Sequence, residues 1–265
     1  MINELFSLQD KTCVVTGGSR GLGFAIARIF LEAGARRVYI TARKEAACQE
    51  AAKELSEYGE CIAIPSDLGK MEEIERFANL LKEKESTIDV LVNNAGIGGP
   101  RANIEDISYQ EWDDCIGINL SGMFYCVKQV IPAMKAQGAG NIINISTGSA
   151  KTGLPFRLPY VASKVGVLGF THNLARELGE YNIRCNTILP GLMDNPRGRG
   201  LVANYAEENG LCIERAEAEF LKYISLRSWI QPSEIADAAY FLASPAARHI
   251  TAQELAVDGN CEWEQ

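Results

Sequence analysis

Short apolar runs alternate with stretches of helical periodicity along this chain, and that alternation restricts the fold more than any other feature. Cys13–Thr16, Val38–Thr41, Cys61–Ile64, Val90–Asn93, Asn141–Ser146, Arg184–Leu189 and Glu254–Val257 read as buried strands. Phe24–Ala33, Glu45–Tyr58, Lys70–Lys84, Ser108–Met134, Pro159–Glu180 and Ser233–Ser244 read as helices, the first two stopped by Gly34 and Gly59. Strands separated by helices of this length join in parallel, with helices covering both faces of the sheet. The expected fold class is α/β, doubly wound. No linker rich in Pro, Gly or Ser and no repeat divides the 265 residues, so one domain over 1–265 is expected. Residues 192–224 lack a strand period and read as an insertion closing over a substrate, a lid.

The first strand runs directly into Thr16-Gly17-Gly18-Ser19-Arg20-Gly21-Leu22-Gly23. Glycines at a strand-to-helix junction let backbone approach a pyrophosphate, and the helix N-terminus attracts its negative charge. The spacing alone would also fit an ordinary tight turn; its place at the first strand–helix junction of an α/β chain points to a dinucleotide. The end of the second strand bears on which one. A carboxylate there would bind the ribose 2′-hydroxyl of NAD, whereas arginine accommodates the 2′-phosphate of NADP. The chain reads Tyr39-Ile40-Thr41-Ala42-Arg43-Lys44, with no acid before Glu45, and Arg20 is in reach of the same phosphate. NADP(H) is favoured. NAD(H) stays open if Arg43 only stacks on adenine, or forms a solvated loop with Lys44.

Tyr160-Val161-Ala162-Ser163-Lys164 puts a phenol and an ammonium at i and i+4 on one helix face. A nearby ammonium favours phenolate and lowers a pKa that is about 10 in water. A phenol so tuned can give a proton to a ketone and take it back from an alcohol. This pair alone occurs by chance on amphipathic helices; beside the glycine loop it becomes specific.

Bulk properties remove several alternatives. A formal net charge of −8 argues against nucleic acid or anionic membrane as partner, since either needs a basic face. The eight cysteines are scattered, with no CxxC and no histidine at metal spacing, so reduced thiols and no metal site are expected. The first residues carry neither a basic nor an apolar signal region, and no apolar run approaches the about 20 residues that span a bilayer. A cytoplasmic protein is expected.

Several of these motifs occur together in the order and spacing of the short-chain dehydrogenase/reductase family, which the chain resembles over essentially its whole length. They are Thr16–Gly23, Asp67-Leu68, Asn93-Asn94-Ala95-Gly96, Asn119, Tyr160 with Lys164, and Pro190-Gly191. The resemblance implies a single Rossmann-type domain with a seven-stranded parallel sheet, assembled as a homotetramer or homodimer. The helices around Asn119 and Tyr160 would form one interface and Ala243–Cys261 a second. It further implies hydride transfer between the cofactor and a secondary alcohol or ketone. Tyr160 would be the general acid/base, Lys164 would hold the nicotinamide ribose and lower the tyrosine pKa, and Asn119 would anchor a relay water. Asn93 would steady the cofactor and Asp67 contact its adenine, with Leu68, Ala95, Gly96, Pro190 and Gly191 completing its site beside Gly17, Ser19, Arg20, Gly21, Leu22 and Gly23. Without the resemblance, Asn119 reads as a polar helix residue, Asn93 as a turn residue and Asp67 as a helix cap.

Two positions depart from the family. Its usual serine thirteen residues before the tyrosine is Thr147 here, which offers the same donor, with Ser149 in reserve. The threonine often found five residues after the proline is Asn195, which could still bond the carboxamide. Thr41–Asp67 is similar to NADPH-dependent 3-oxoacyl reductases, a segment that informs cofactor more than substrate. Arg157, Arg197 and Arg199 flank the tyrosine or lie in the insertion, and either grip an anionic substrate group or are surface charges. A 3-oxoacyl thioester, a sugar or polyol, and a hydroxy acid all stay open as substrates. So does an NAD-dependent polyol or hydroxy-acid dehydrogenase, and more remotely a non-catalytic nucleotide sensor.

Overall fold

In the computed structural model, which describes residues 2–262, the apolar runs form seven strands of one sheet. They are β1 (Thr12–Thr16), β2 (Arg37–Thr41), β3 (Cys61–Ala63), β4 (Val90–Asn93), β5 (Gly140–Ile145), β6 (Ile183–Pro190) and β7 (Glu254–Val257). All pair in parallel, in the order β3-β2-β1-β4-β5-β6-β7. The chain winds outward from β1 to β3 and then returns to lay β4 against the other side of β1. That reversal opens a crevice above the C-terminal ends of β1 and β4, where open α/β sheets bind ligands.

The helices preceding β6 are α1 (Ile2–Leu5), α2 (Gly21–Glu32), α3 (Glu45–Leu55), α4 (Met71–Lys84), α5 (Tyr109–Ile116), α6 (Gly122–Gln137), α7 (Ser149–Thr152) and α8 (Leu158–Leu178). After β6 come α9 (Pro196–Asn209), α10 (Ile213–Leu221) and α11 (Pro232–Ala243). Alternate strand residues feed opposite layers. Val15, Ile40, Val92 and Ile143 pack with Ile26 and Phe30 of α2, Leu55 of α3 and Leu242 of α11. Their neighbours Val14, Tyr39, Leu91 and Ile142 pack with Phe77 of α4, Val130 and Met134 of α6 and Leu178 of α8. Each large apolar side chain so buried contributes on the order of 2 kcal/mol, which is why the strands are apolar on both faces.

Among the boundaries that differ from the sequence reading, two bear on the crevice. Helix α2 starts at Gly21, three residues before the expected Phe24, because periodicity registers only side chains and the first turn is glycine-rich. The helix expected over Ser108–Met134 is two helices joined by a wide π-type turn at Gly117–Ser121, with Asn119 in its middle. Such a turn inserts a residue without breaking the apolar stripe, and it commonly marks a functional site. The residues read as an insertion form α9 and α10, which pack on each other around Val202, Ala206 and Ala216 with Tyr205, Phe220 and Trp229 alongside.

All eight cysteines are free, and burial pushes the Cys126 and Cys185 thiols up to about 12. Among the described residues no helix is long and apolar enough to cross a membrane.

Candidate active site

Side chains stitch the ends of β1 and β4 together beneath the crevice. Thr16 Oγ1 donates to the Val92 carbonyl (3.3 Å) and accepts from the Asn94 and Ala95 amides (3.0 Å each). Asn94 Nδ2 donates back to the Thr16 carbonyl at 2.9 Å. Gly17 takes φ +67°, and a methyl group at Gly23 would stand 2.3 Å from the Gly17 carbonyl oxygen. Only glycine lets the start of α2 sit this close to the loop. Arg20, the residue before α2, makes no side-chain cap, so the first amides of the helix face the crevice without a partner side chain.

The crevice is a cavity of about 1000 Å³ that runs from β2 across the sheet to α9. At one end Arg20, Arg43 and Lys44 line it, with Asp67 beyond β3. Asp67 turns its own loop, accepting from the Gly69 amide at 3.0 Å. No carboxylate of the described residues pairs with Arg20, Arg43 or Lys44, and no acidic side chain stands at the end of β2. A bare cluster of cations beside a glycine cradle and open helix amides fits a phosphorylated dinucleotide.

At the middle of the cavity stand Tyr160, Lys164, Thr147 and Ser149. Lys164 is 4% exposed and its Nζ donates to the Ile145 carbonyl at 2.7 Å. Burial, and secondarily the nearby Arg197, pull the Lys164 ammonium down to about 8. Tyr160 lies half-buried one helical turn earlier, with the Arg197 guanidinium carbon 5.0 Å from its ring centre. Thr147 Oγ1 accepts from the Ser149 amide at 3.4 Å, and both hydroxyls face the same space. A phenol, a buried ammonium and a hydroxyl so arranged can polarise a carbonyl and move one proton to or from its oxygen.

Of the expected cofactor residues, Asn93 alone does not line the cavity. Strand alternation turns it into the protein, where it is 2% exposed and Nδ2 donates to Asn144 Oδ1 at 2.8 Å. Its neighbour Asn94 faces the crevice in its place, and Arg101, on the loop after β4, also lines it. Asn94 was read only as part of its motif and Arg101 was not singled out, although both follow a strand's C-terminal end, where ligand loops gather.

Asn119 is fully buried and does not reach the cavity. Its Oδ1 accepts from the Ile97 amide (2.8 Å), and its Nδ2 donates to the Ile97 carbonyl (3.0 Å) and to Ser163 Oγ (3.0 Å). Ser163 Oγ in turn donates to the Tyr160 carbonyl at 2.7 Å. The side chain therefore positions the loop after β4 against the helix of Tyr160 and Lys164.

Arg199 corrects the expectation of a substrate contact. It forks onto Asp194 (2.7 and 2.9 Å), bonds Glu217 (2.9 Å) and covers the Trp229 ring, outside the cavity. Helical spacing explains the difference from Arg197: two residues along α9 is more than half a turn, so the two point apart. Asn195 lines the cavity, but its Oδ1 caps α9 through the Gly198 amide at 2.8 Å. Pro190 and Gly191 form the wall where β6 ends.

Residues 17–260 match a protein family described as enoyl-(acyl carrier protein) reductase. The chain is 39% identical over 254 residues to a 3-oxoacyl-(acyl-carrier-protein) reductase of Chlamydia trachomatis, covering 95% of this chain and 97% of that one. It is 32% identical over 254 residues to D-beta-hydroxybutyrate dehydrogenase of Rhizobium meliloti, covering 95% and 98%. Among solved structures it is similar to an actinorhodin polyketide ketoreductase with NADPH, at TM-score 0.90 and 33% identity over 97% of this chain and 99% of that one.

Proposed function

The chain belongs to the short-chain dehydrogenase/reductase family of oxidoreductases, and on that premise we propose that it reduces a ketone or oxidises a secondary alcohol with NADP(H). The observation that carries the reading is one cavity with a cationic, acid-free end at Arg20, Arg43 and Lys44 and a proton-transfer group at Tyr160 and Lys164. When bound, the nicotinamide supplies or accepts the hydride.

The protein's own residues do the rest. Gly17, Gly21 and Gly23 would receive the pyrophosphate, and Arg20 and Arg43 would pair with the 2′-phosphate. Leu68, Ala95, Gly96, Pro190 and Gly191 line the channel between the two ends of the cavity. Thr147 donates to the substrate carbonyl oxygen, and Tyr160 delivers the proton to it on reduction or removes it on oxidation. Lys164, held by the Ile145 carbonyl, presents its charge next to the tyrosine and the ribose. Asn119 is a positioning residue. Helices α9 and α10 serve as a lid on a single domain and exclude water from the reacting atoms. Family kinship supports assembly as a homotetramer or homodimer and a cytoplasmic location.

Kinship with 3-oxoacyl and polyketide ketoreductases favours 3-oxoacyl compounds as the substrate type. A second reading, a hydroxy-acid dehydrogenase, draws on the arginines near Tyr160 and on the D-beta-hydroxybutyrate dehydrogenase relative. Titrating the purified protein with NADPH and NADH, followed by nucleotide fluorescence, tests the cofactor reading. Tighter NADPH binding is expected; tighter NADH binding overturns it.

A further inference from the structure

Two guanidinium groups converge on one point at the substrate end of the cavity. A methyl group added at Gly98 would lie 2.8 Å from Arg197 Nη2 and 3.6 Å from Arg157 Nη1. Burial, and after it the like charge of Arg197, hold the Arg157 guanidinium below its ordinary value. The neighbouring arginines are neutralised in place: Arg101 by Glu208, Arg199 by Asp194 and Glu217. Arg157 and Arg197 are not. Arg157 Nη1 donates to the Gly99 and Gly98 carbonyls (3.2 and 3.5 Å), and Arg197 rests on the Tyr160 ring. No carboxylate among the described residues pairs with either. Among the described residues the one acidic side chain lining the cavity, Asp67, is beyond β3 at its opposite end.

The backbone holds this arrangement at a cost. Phe156, just before Arg157, has φ +64°, a left-handed conformation that a bulky side chain rarely adopts. The turn is tied down by the Ala102 amide, which donates to the Phe156 carbonyl at 3.1 Å. In a chain of net charge −8, two unpaired cations fixed over a cavity form a site for an anion.

Distance narrows the anion's identity. The Arg197 guanidinium carbon is 5.0 Å from the centre of the Tyr160 ring, so a group gripped by Arg197 is within a few bonds of the carbon whose oxygen meets the tyrosine hydroxyl. We infer that the substrate is a short oxo or hydroxy acid whose free carboxylate is clamped between Arg157 and Arg197, with its carbonyl or carbinol carbon at Tyr160. A thioester of the same skeleton is uncharged at that position and would leave the half-buried Arg157 without a counter-charge. The inference rests on the oxidoreductase reading above and deepens it, choosing the free hydroxy or oxo acid of its second substrate reading over the 3-oxoacyl thioesters that kinship favours.

Calorimetric titration of the protein–NADP⁺ complex with malonate, malonamide and inorganic phosphate tests the clamp without requiring turnover. Malonate is expected to bind saturably, malonamide not at all, and phosphate more weakly than malonate. Arg157→Gln and Arg197→Gln should each weaken malonate at least about tenfold, the loss of one charged hydrogen-bonding partner. NADPH titrations run alongside report whether each variant is folded. If a Gln variant loses NADPH binding, the Lys variant at that position replaces it, with a smaller loss expected because charge remains but the planar fork is gone. The clamp is overturned if wild type ignores malonate, if malonamide binds equally, or if both variants bind malonate as wild type does. Phosphate binding tighter than malonate would overturn the carboxylate assignment. Failure of wild type to bind NADPH is a different result: it sinks the oxidoreductase reading, and malonate titrated into the protein alone then decides the clamp.

Discussion

Lys164 Nζ and the carbonyl oxygen of Ile145 are joined by a 2.7 Å hydrogen bond that ties α8 to the end of β5 at the middle of the cavity. The bond fixes the ammonium one helical turn from Tyr160 rather than leaving a long side chain to wander. Ser146 Oγ, the next residue along, donates to the Lys164 carbonyl at 2.8 Å, so the lysine is held through both side chain and backbone.

Burial of that ammonium costs stability, and the cost depends on pH. With its folded value lowered to about 8, Lys164 holds its proton less tightly folded than unfolded, where about 10.4 applies. The penalty is full below pH 8 and is relieved as pH rises toward the unfolded value, because the unfolded chain binds more protons across that window. Lys164→Met should therefore raise the urea midpoint at pH 7 and raise it less at pH 9.5. The same variant should lower kcat by about 10²- to 10⁴-fold. An equal stability gain at both pH values would contradict the depressed value.

Thr147 and Ser149 face the same space, and the proposed reaction assigns Thr147 as the main donor to the substrate carbonyl. Thr147→Val should cost about 10²- to 10³-fold in kcat, the usual effect of removing one donor to a developing oxyanion, while Ser149→Ala changes little. The opposite ranking in steady-state assays would transfer the role to Ser149.

Arg43→Ala should weaken NADPH by roughly ten- to a hundredfold, the value of one charged hydrogen bond, and leave NADH unaffected. Arg20→Ala should act in the same direction. Fluorescence titrations with both nucleotides make the comparison, and equal loss of NADH would mean that Arg43 stacks on adenine instead.

At the opposite end of the sheet Glu85 has a side chain 3% exposed that receives Arg36, Arg37 and the Tyr39 hydroxyl. Burial alone would raise its carboxyl, but the bonds from the two arginines and the tyrosine outweigh it and hold the group below the usual range. Glu85→Gln should cost about 2–3 kcal/mol at pH 7, because the arginines lose their counter-charge. The native carboxylate's contribution is present above the unfolded value of about 4.3 and disappears as pH falls through the lower folded one. Urea midpoints of wild type and variant should therefore draw together as the pH falls into acid; a gap that does not narrow would refute this.

Much of this was legible in the residues, for identifiable reasons. Seven apolar runs and the glycine loop are local patterns, and local patterns survive without knowledge of partners. The π turn at Gly117–Ser121 escaped because an inserted residue leaves apolar spacing nearly intact. Asn93 was misdirected because a motif names a position but not which way a strand points it. Arg199 could not be told from Arg197 until Asp194 and Glu217 were brought beside it.

What the sequence determined by itself was the order of strands and helices, the glycine cradle and the Tyr160–Lys164 pair, because each depends on residues no more than a few positions apart. The tertiary structure decided which arginines are paired and which are bare. It also decided that Asn119 braces the Ile97 loop rather than facing the cavity, and that Arg157 meets Arg197 over Gly98. Charge pairing and burial are properties of groups distant in the chain, and only the packed sheet and helices bring those groups within a hydrogen bond of one another.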